Sequence, residues 1–256
     1  MKALSLFSGI GGIDLAAEWA GMETVAFCER EAFPQRVLRK HWPDVPIYDD
    51  VCTLTADRLK EDGIIGDGRA IDLIHGGYPC QPFSHAGKRG GKKDVRHLWP
   101  EYFRLVQEVS PRWVVGENVV GHITLGLDDV WSDLESEGYS CGAIVLPAAG
   151  VGAPHKRDRV FIVAHANSGG CVEAWQQIMG RQMGAREYPS NMSPAIAYTS
   201  FNGPSRGWAP EPAVGRVANG VPDRVDRLRT LGNAVVPQQI YPIFIAIMEI
   251  EAMEIH

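Results

Sequence analysis

Short apolar runs alternate with amphipathic stretches through the first two thirds of the chain. K-A-L-S-L-F (2–7) reads as a buried strand. Glycine-rich punctuation follows it, then I-D-L-A-A-E-W-A-G, a helical stretch ended by Gly21. T-V-A-F-C-E (24–29) is a second strand, and 33–41 a helix stopped before Pro43. A-I-D-L-I-H-G-G (70–77) and W-V-V-G-E-N (113–118) are strand-like, and 97–109 and 127–137 carry helical periodicity. S-C-G-A-I-V-L-P-A-A (140–149) and R-V-F-I-V-A-H-A (159–166) are again β-rich. This alternation predicts an α/β fold with a mostly parallel, doubly wound sheet and ligands at the C-terminal ends of its strands.

From about 168 to 222 the pattern dissolves into Gly, Pro, Ser and Asn with weak apolar periodicity, and it returns at 237–255 as an apolar helix. Two parts are therefore expected: a main domain from 1–167 and 230–256, and a small irregular region at 168–229. No run approaches the roughly 18 apolar residues that cross a bilayer. Gly9, Gly11 and Gly12 interrupt the N-terminal apolar stretch too early for a secretory signal, so a cytoplasmic location is expected. Five cysteines (28, 52, 80, 141, 171) without a C-x-x-C pair suggest neither a disulfide framework nor a zinc site, and no metal is expected.

The net charge of −6 is unevenly spread. Residues 150–230 carry ten Lys and Arg against six Asp and Glu, a net of +4 on an otherwise acidic chain. A-G-K-R-G-G-K-K-D-V-R-H (86–97) adds five basic residues against one acid. A cationic face on an acidic body suits a nucleic-acid partner, although scattered solvated charge gives the same count.

The turn L-F-S-G-I-G-G-I-D-L-A places three glycines between a strand and a helix, where backbone approaches a ligand closely and free N–H groups face it. The dinucleotide fingerprint is incomplete, and a glycine turn alone serves structure as readily as binding. Glu29, at the end of the second strand, lies near the offset of about 20 residues at which an acid meets ribose hydroxyls. Asp50, after a third possible strand, is placed to accept from an adenine amino group. Together they point to an adenosine-containing cofactor. On the other side, I-D-L-I-H-G-G runs directly into Y-P-C-Q-P-F-S, which sets Cys80 between prolines at the ligand edge. V-V-G-E-N-V-V-G puts Glu117 and Asn118 at the end of the next strand. A thiolate beside a proton-donating carboxyl suits addition to an electron-poor ring.

These segments carry a resemblance. F-S-G-I-G-G (7–12), P-C-Q-P-F-S (79–84), E-N-V (117–119), K-R-D-R (156–159) and G-N-A-V-V-P (232–237) stand in the order and approximate spacing of the cytosine-C5 DNA methyltransferase family, phage and bacterial type. The motifs span nearly the whole chain except 168–222. The resemblance implies a class I S-adenosylmethionine-dependent methyltransferase fold, Rossmann-like, with a small irregular target-recognition lobe. It implies S-adenosyl-L-methionine as cofactor, held by Phe7, Gly9, Ile10, Gly11, Gly12, Glu29, Asp50, Val51, Pro79, Asn233 and Ala234. It implies double-stranded DNA as partner of a monomeric enzyme, with Gln81, Ser84, Lys88, Arg96, Asn118 and Val119 on the substrate. Cys80 is the implied nucleophile toward C6 of a flipped-out cytosine. Glu117 is the implied contact to N3 and the exocyclic amine, and Arg157 and Arg159, which by alternating at a strand start would point to the same side, are the implied support for the site. Residues 84–98 are implied to form a loop that closes over DNA.

The chain departs from the family's pattern in three places. His155 stands where the family usually has Gln, and Arg30 replaces the aromatic residue that often follows the ribose-binding acid. The variable region, roughly 55 residues, is short. An RNA methyltransferase of the same family is disfavoured by the absence of the C-F-T tripeptide and by the stretch near 210–222. A catalytically idle relative is disfavoured by the presence of Cys80, Glu117, Arg157 and Arg159 together.

Overall fold

The computed structural model describes residues 1–66, 68, 70–79, 98–153, 155–166, 174, 175, 177–180, 196–198 and 224–254. The alternation seen in the sequence becomes β1 (Lys2–Leu6), α1 (Gly12–Trp19), β2 (Glu23–Cys28), α2 (Ala32–His41) and β3 (Ile47–Tyr48). It continues as α3 (Ala56–Glu61), β4 (Leu73–Gly76), α4 (Trp99–Val109), β5 (Trp113–Val119), α5 (His122–Leu125) and α6 (Leu127–Ser136). The last described elements are β6 (Ser140–Pro147), β7 (Asp158–His165), β8 (Ile196–Tyr198), α7 (Arg224–Asn233) and α8 (Pro237–Glu254).

The strands form one sheet in the order β3-β2-β1-β4-β5-β7-β6-β8. The pairs β2–β3, β1–β2, β1–β4, β4–β5 and β6–β8 are parallel, whereas β7 runs antiparallel to both β5 and β6. The link between β6 and β7 holds only a short 3₁₀ turn, Ala148–Val151. A parallel return needs a crossover of a dozen or more residues, so a link this short forces the reversal.

Side chains alternate between the two covered faces, as a strand buried on both sides requires. Ala3, Trp113, Val115, Phe161 and Val163 face one cluster, shared with α1 and α8. Leu4, Leu6, Val114, Ile162 and Ala164 face the other, with Leu59 of α3, Tyr102 and Leu105 of α4, and Leu134 of α6. Within 168–229, Trp175, Ile178 and Met179 pack into the α1–α8 cluster, and β8 extends the sheet beside β6.

The apolar helix expected over 237–255 is found as α8, Pro237–Glu254. Thr230–Met253 passes for a membrane span by length and composition. Its Ile240, Ile243, Phe244, Ile247 and Ile250 are instead buried in the α1–α8 cluster. The helix end is held where Trp113 Nε1 donates to Glu251 Oε1 at 2.7 Å.

One polar cluster sits inside this face. Asp14 of α1 and His75 of β4 are both fully buried, with Nε2 of the ring 3.5 Å from Oδ1 of the acid. Asp14 accepts from Ser5 Oγ at 3.1 Å and Thr24 Oγ1 at 3.0 Å, and the His75 ring packs on Phe244. Burial pushes Asp14 up to about 7 from 3.8, and His75 down to about 3 from 6.5. Between pH 3.8 and 6.5 the unfolded chain thus carries its proton on His75, whereas the folded chain carries it on Asp14. The proton counts match, so the couple as a whole gives stability no slope with pH in that window. Single variants unmask the halves. Asp14→Asn should lose stability as pH falls below 6.5, because only the unfolded chain then protonates His75. His75→Leu should lose stability as pH rises from 3.8 toward about 7, because only the unfolded chain gives up the Asp14 proton. Urea unfolding at several pH values checks this, and slopes of the same sign in both variants would disprove a neutral couple.

Candidate active site

β1 delivers the chain into a turn with left-handed backbone at Phe7 (φ 52), Gly9 (φ 55) and Gly11 (φ 79), which ends at the uncapped N-terminus of α1. The glycines serve different ends. A Cβ on Gly11 would lie 2.5 Å from the Trp42 ring, and one on Gly12 2.6 Å from the Val235 carbonyl oxygen. Those two make room for protein. Gly9 meets nothing within 4 Å, so it is the glycine whose open side faces space for a ligand.

The carboxylate of Glu29 lies over this turn. It accepts the Gly9 N–H at 2.8 Å and the Glu31 N–H at 2.7 Å, while burial raises its pKa against those bonds. Each oxygen keeps further acceptor capacity. Gln35 braces the strand end by donating to the Glu29 carbonyl at 2.6 Å and to Asp49 Oδ1 at 2.8 Å. Asp50 is half-buried and accepts the Cys52 N–H at 2.9 Å, and Val51 is buried. Arg104 of α4 donates to the carbonyls of Val51 and Leu54, each at 2.9 Å. Phe7 stacks on Tyr102, ring centres 6.5 Å apart, and Ile10 is half-buried. Sequence reading missed Gln35 and Arg104, which are polar residues on helix faces without any motif. The cradle fits an adenosine group: open space at Gly9, a carboxylate with spare lone pairs, and a second acid one strand away.

The opposite wall begins where β4 and β5 end. Glu117 is buried, and its Oε1 pairs with Arg159 Nε at 2.7 Å. Glu117 lies opposite Phe161 and Val119 opposite Arg159, so acid and base are diagonal neighbours on one face. Burial raises the Glu117 pKa, while the Arg159 and Arg157 charges oppose that shift. A Cβ on Gly77, just past β4, would lie 2.7 Å from Glu117 Oε2. The chain that continues to Tyr78 and Pro79 therefore starts directly against this carboxyl. Cys80, Gln81, Ser84, Lys88 and Arg96 lie outside the described residues, as does most of the 84–98 loop.

Two expected site residues, Asn118 and Arg157, make hydrogen bonds within the protein. Asn118 is buried: Nδ2 donates to the Tyr78 carbonyl at 3.2 Å and Oδ1 accepts the Val119 N–H at 2.9 Å, which leaves one N–H and one lone pair of the amide. Arg157 does not alternate with Arg159 along a strand. It precedes β7 with φ 36, and its guanidinium donates to the carbonyls of Gly232 and Ala234. It thereby ties the Asn233–Ala234 segment to the start of β7, still close enough to Glu117 to affect its charge. Buried Gln239 strengthens that tie, donating to the carbonyls of Leu146 at 2.8 Å and Arg157 at 2.9 Å. Asn233 is exposed and Ala234 half-buried, and the Val235 carbonyl closes on Gly12. Val119 and Pro79 are half-buried at the rim, and the two single-residue departures, Arg30 and His155, are exposed.

A central sheet with one reversed strand, a glycine turn under an acid, and a paired carboxyl at the next strand ends define a class I S-adenosylmethionine-dependent methyltransferase fold. Residues 1–194 match the model of the C-5 cytosine-specific DNA methylase family, and the chain belongs to that family. Among its relatives, the Type II methyltransferase M.AquIA of Picosynechococcus sp. is 35% identical over 178 residues, 64% of this chain and 71% of that protein. M.FnuDI of Fusobacterium nucleatum is 35% identical over 169 residues, 64% of this chain and 46% of its own length. The chain thus spans most of the first and under half of the second. A solved structure described as a DNA modification methyltransferase encoded within an E. coli prophage superposes with a TM-score of 0.56 at 28% identity, covering 64% of this chain and 46% of that one. A Spodoptera frugiperda DNMT2 variant shares the fold, with a TM-score of 0.57 at 22% identity over 79% of this chain and 57% of that one.

Proposed function

We propose that this protein is a DNA (cytosine-5-)-methyltransferase that takes its methyl group from S-adenosyl-L-methionine and acts on a cytosine flipped out of duplex DNA. Family membership supports the reaction class. The observation that carries the rest is the buried, arginine-paired Glu117 carboxyl lying against Gly77, three residues before Cys80. When bound, the cofactor supplies an electrophilic methyl on a sulfonium. Phe7, the open side of Gly9, Glu29, Asp50 and the Asn233–Ala234 segment would hold it, with the Glu29 carboxylate placed to take the ribose hydroxyls.

The Cys80 thiolate adds to C6 of cytosine, forming a carbon–sulfur bond and pushing an electron pair toward C5. Glu117, kept protonatable by burial, hydrogen-bonds N3 and the exocyclic amine and offsets charge on the ring. Arg159 fixes the carboxyl's orientation. C5 would take the methyl group, leaving the donor sulfur as a neutral thioether; a base then removes the C5 proton, and the electrons of that C–H bond expel the thiolate. A stacked cytosine is out of reach, so flipping costs a few kcal/mol, met by contacts to the extruded base. The basic 86–97 segment and the net-positive 150–230 region suit the phosphate backbone.

Duplex DNA carrying 5-fluorocytosine tests the chemistry, because fluorine at C5 cannot leave as a cation and the adduct persists. Incubation with S-adenosyl-L-methionine should give a denaturation-resistant protein–DNA species joined at Cys80. Bisulfite sequencing of DNA from expressing cells then locates the methylated sites. A chain that forms no adduct on any cytosine-rich duplex, and leaves cellular DNA unmethylated, is not this enzyme.

Cofactor binding gives a separate expectation. Glu29→Ala should weaken affinity for S-adenosyl-L-methionine by about 1.5–3 kcal/mol, the worth of a charge-assisted hydrogen bond. Part of that loss comes from the Gly9 N–H, which the same carboxylate holds. Calorimetric titration measures it, and an unchanged Kd removes Glu29 from the ribose.

A further inference from the structure

We infer that Tyr78 and His122 are positioning residues for methyl transfer, joined across the active-site wall so that the chain entering Cys80 keeps its place against Glu117. The inference rests on the methyltransferase reading above. β4 and β5 pair only as far as Gly76 and Gly116, so residues 77–79 lie beyond the described ladder. Side chains from the end of β5 and the start of α5 take over there. The Tyr78 hydroxyl and His122 Nε2, at the start of α5, are 2.7 Å apart, and both residues are buried. The Tyr78 carbonyl accepts from Asn118 Nδ2 at 3.2 Å. One residue is therefore gripped at its ring tip and at its backbone by the segment that also carries Glu117.

The ring is boxed in. Its centre lies 5.0 Å from that of Trp99, 5.4 Å from His122 and 5.8 Å from Tyr102, and a Cβ on Gly116 would come within 3.1 Å of it. Tyr102 in turn stacks on Phe7 of the cofactor turn. Sideways movement of Tyr78 is blocked by aromatic rings, and the hydroxyl–imidazole bond sets its depth. The neighbouring Gly77 leaves no slack, since a Cβ there would lie 2.7 Å from Glu117 Oε2. A misplacement of about 1 Å between reacting groups costs on the order of a hundredfold in rate. A phenylalanine at 78 would fill the same apolar box, so the hydroxyl's contribution beyond packing is what needs measuring.

The full chain is compared with Tyr78→Phe, His122→Phe and the double variant, which removes both polar partners. Single-turnover adduct formation on 5-fluorocytosine DNA should fall about 10- to 100-fold in Tyr78→Phe, with Kd for S-adenosyl-L-methionine within about twofold of wild type. Each single variant breaks the hydroxyl–imidazole bond but keeps one of its two buried polar groups, whereas the double variant should regain the thermal midpoint. Its rate should stay low, because an apolar pair packs but does not set depth. A rate within about threefold of wild type in Tyr78→Phe, or a rate that recovers along with the midpoint, assigns the pair to stability alone.

Iodoacetamide labelling separates this inference from the reading beneath it. Peptide mass spectrometry compares the labelling rate of Cys80 with that of exposed Cys52 in every variant. A wild-type chain that forms no adduct removes the methyltransferase reading. The Tyr78–His122 inference is then judged on labelling: a severalfold change at Cys80 with none at Cys52 supports it, and equal ratios in all variants overturn it.

Discussion

Replacing Cys80 with alanine should abolish methyl transfer, lowering it by at least roughly 10⁴-fold, while the affinity for S-adenosyl-L-methionine stays within about twofold. The loss is that large because no other described thiol can substitute. Burial pushes Cys28 and Cys141 each up to about 12, and the Cys52 thiol is also raised. A thiol held neutral is a poor nucleophile. Cofactor affinity survives because the Gly9 turn, Glu29 and the Val51 loop are fixed by Gln35, Arg104 and backbone bonds on the other side of the sheet end. The thermal midpoint should barely move. Rates of tritiated methyl incorporation and calorimetric titration are measured side by side. Transfer above about one per cent of wild type in the alanine variant would assign the attack on C6 to another group.

What the sequence exposed, and what it hid, follows from how each feature is encoded. β1, β2, β4, β5, β6 and β7 were legible because a strand covered on both faces shows a near-continuous apolar run. α3 escaped because six residues bury only Ala56 and Leu59, and its capping Thr55 has no acid three positions on. α7 escaped because R-V-D-R-L-R-T-L-G-N carries its charges without an apolar stripe. β8 lies in a Pro- and Asn-rich stretch, and its strand character comes from pairing with β6, a tertiary effect. The reversed direction of β7 has no hydrophobic signature and is dictated by the length of the connection before it. In the site, Glu29 and Glu117 were legible because acids at strand ends stand out. Gln239 was not, since a buried glutamine and an exposed one look alike in P-Q-Q-I-Y. Arg157 was recognised, but its direction was misjudged from strand alternation, which its left-handed backbone interrupts.

Glu117→Ala should lower the rate of methyl transfer by about 10²–10⁴-fold, the range for loss of a positioned proton donor. Stability should fall as well. Glu117 neutralises Arg159, whose side chain is 15% exposed, and a buried charge stripped of its partner costs about 3–5 kcal/mol, less here because some water reaches it. Glu117→Gln separates the two effects. The amide keeps the volume and still accepts from Arg159, so most of the thermal midpoint should return. The rate should not, since an amide cannot lend a proton to N3. The pH profile carries the same distinction. Burial raises the Glu117 pKa, so the protonated form persists above the ordinary carboxylate value of 4.5 and drains away as pH climbs through the folded-state value. The stability linked to this group follows that course: it is fully present below 4.5 and lost as pH rises through the folded value. The wild-type rate should therefore decline on the alkaline side, and the glutamine variant should lack that limb. If the folded alanine variant turns over at more than about a tenth of the wild-type rate, the carboxyl's place against Gly77 is structural and the proton comes from elsewhere.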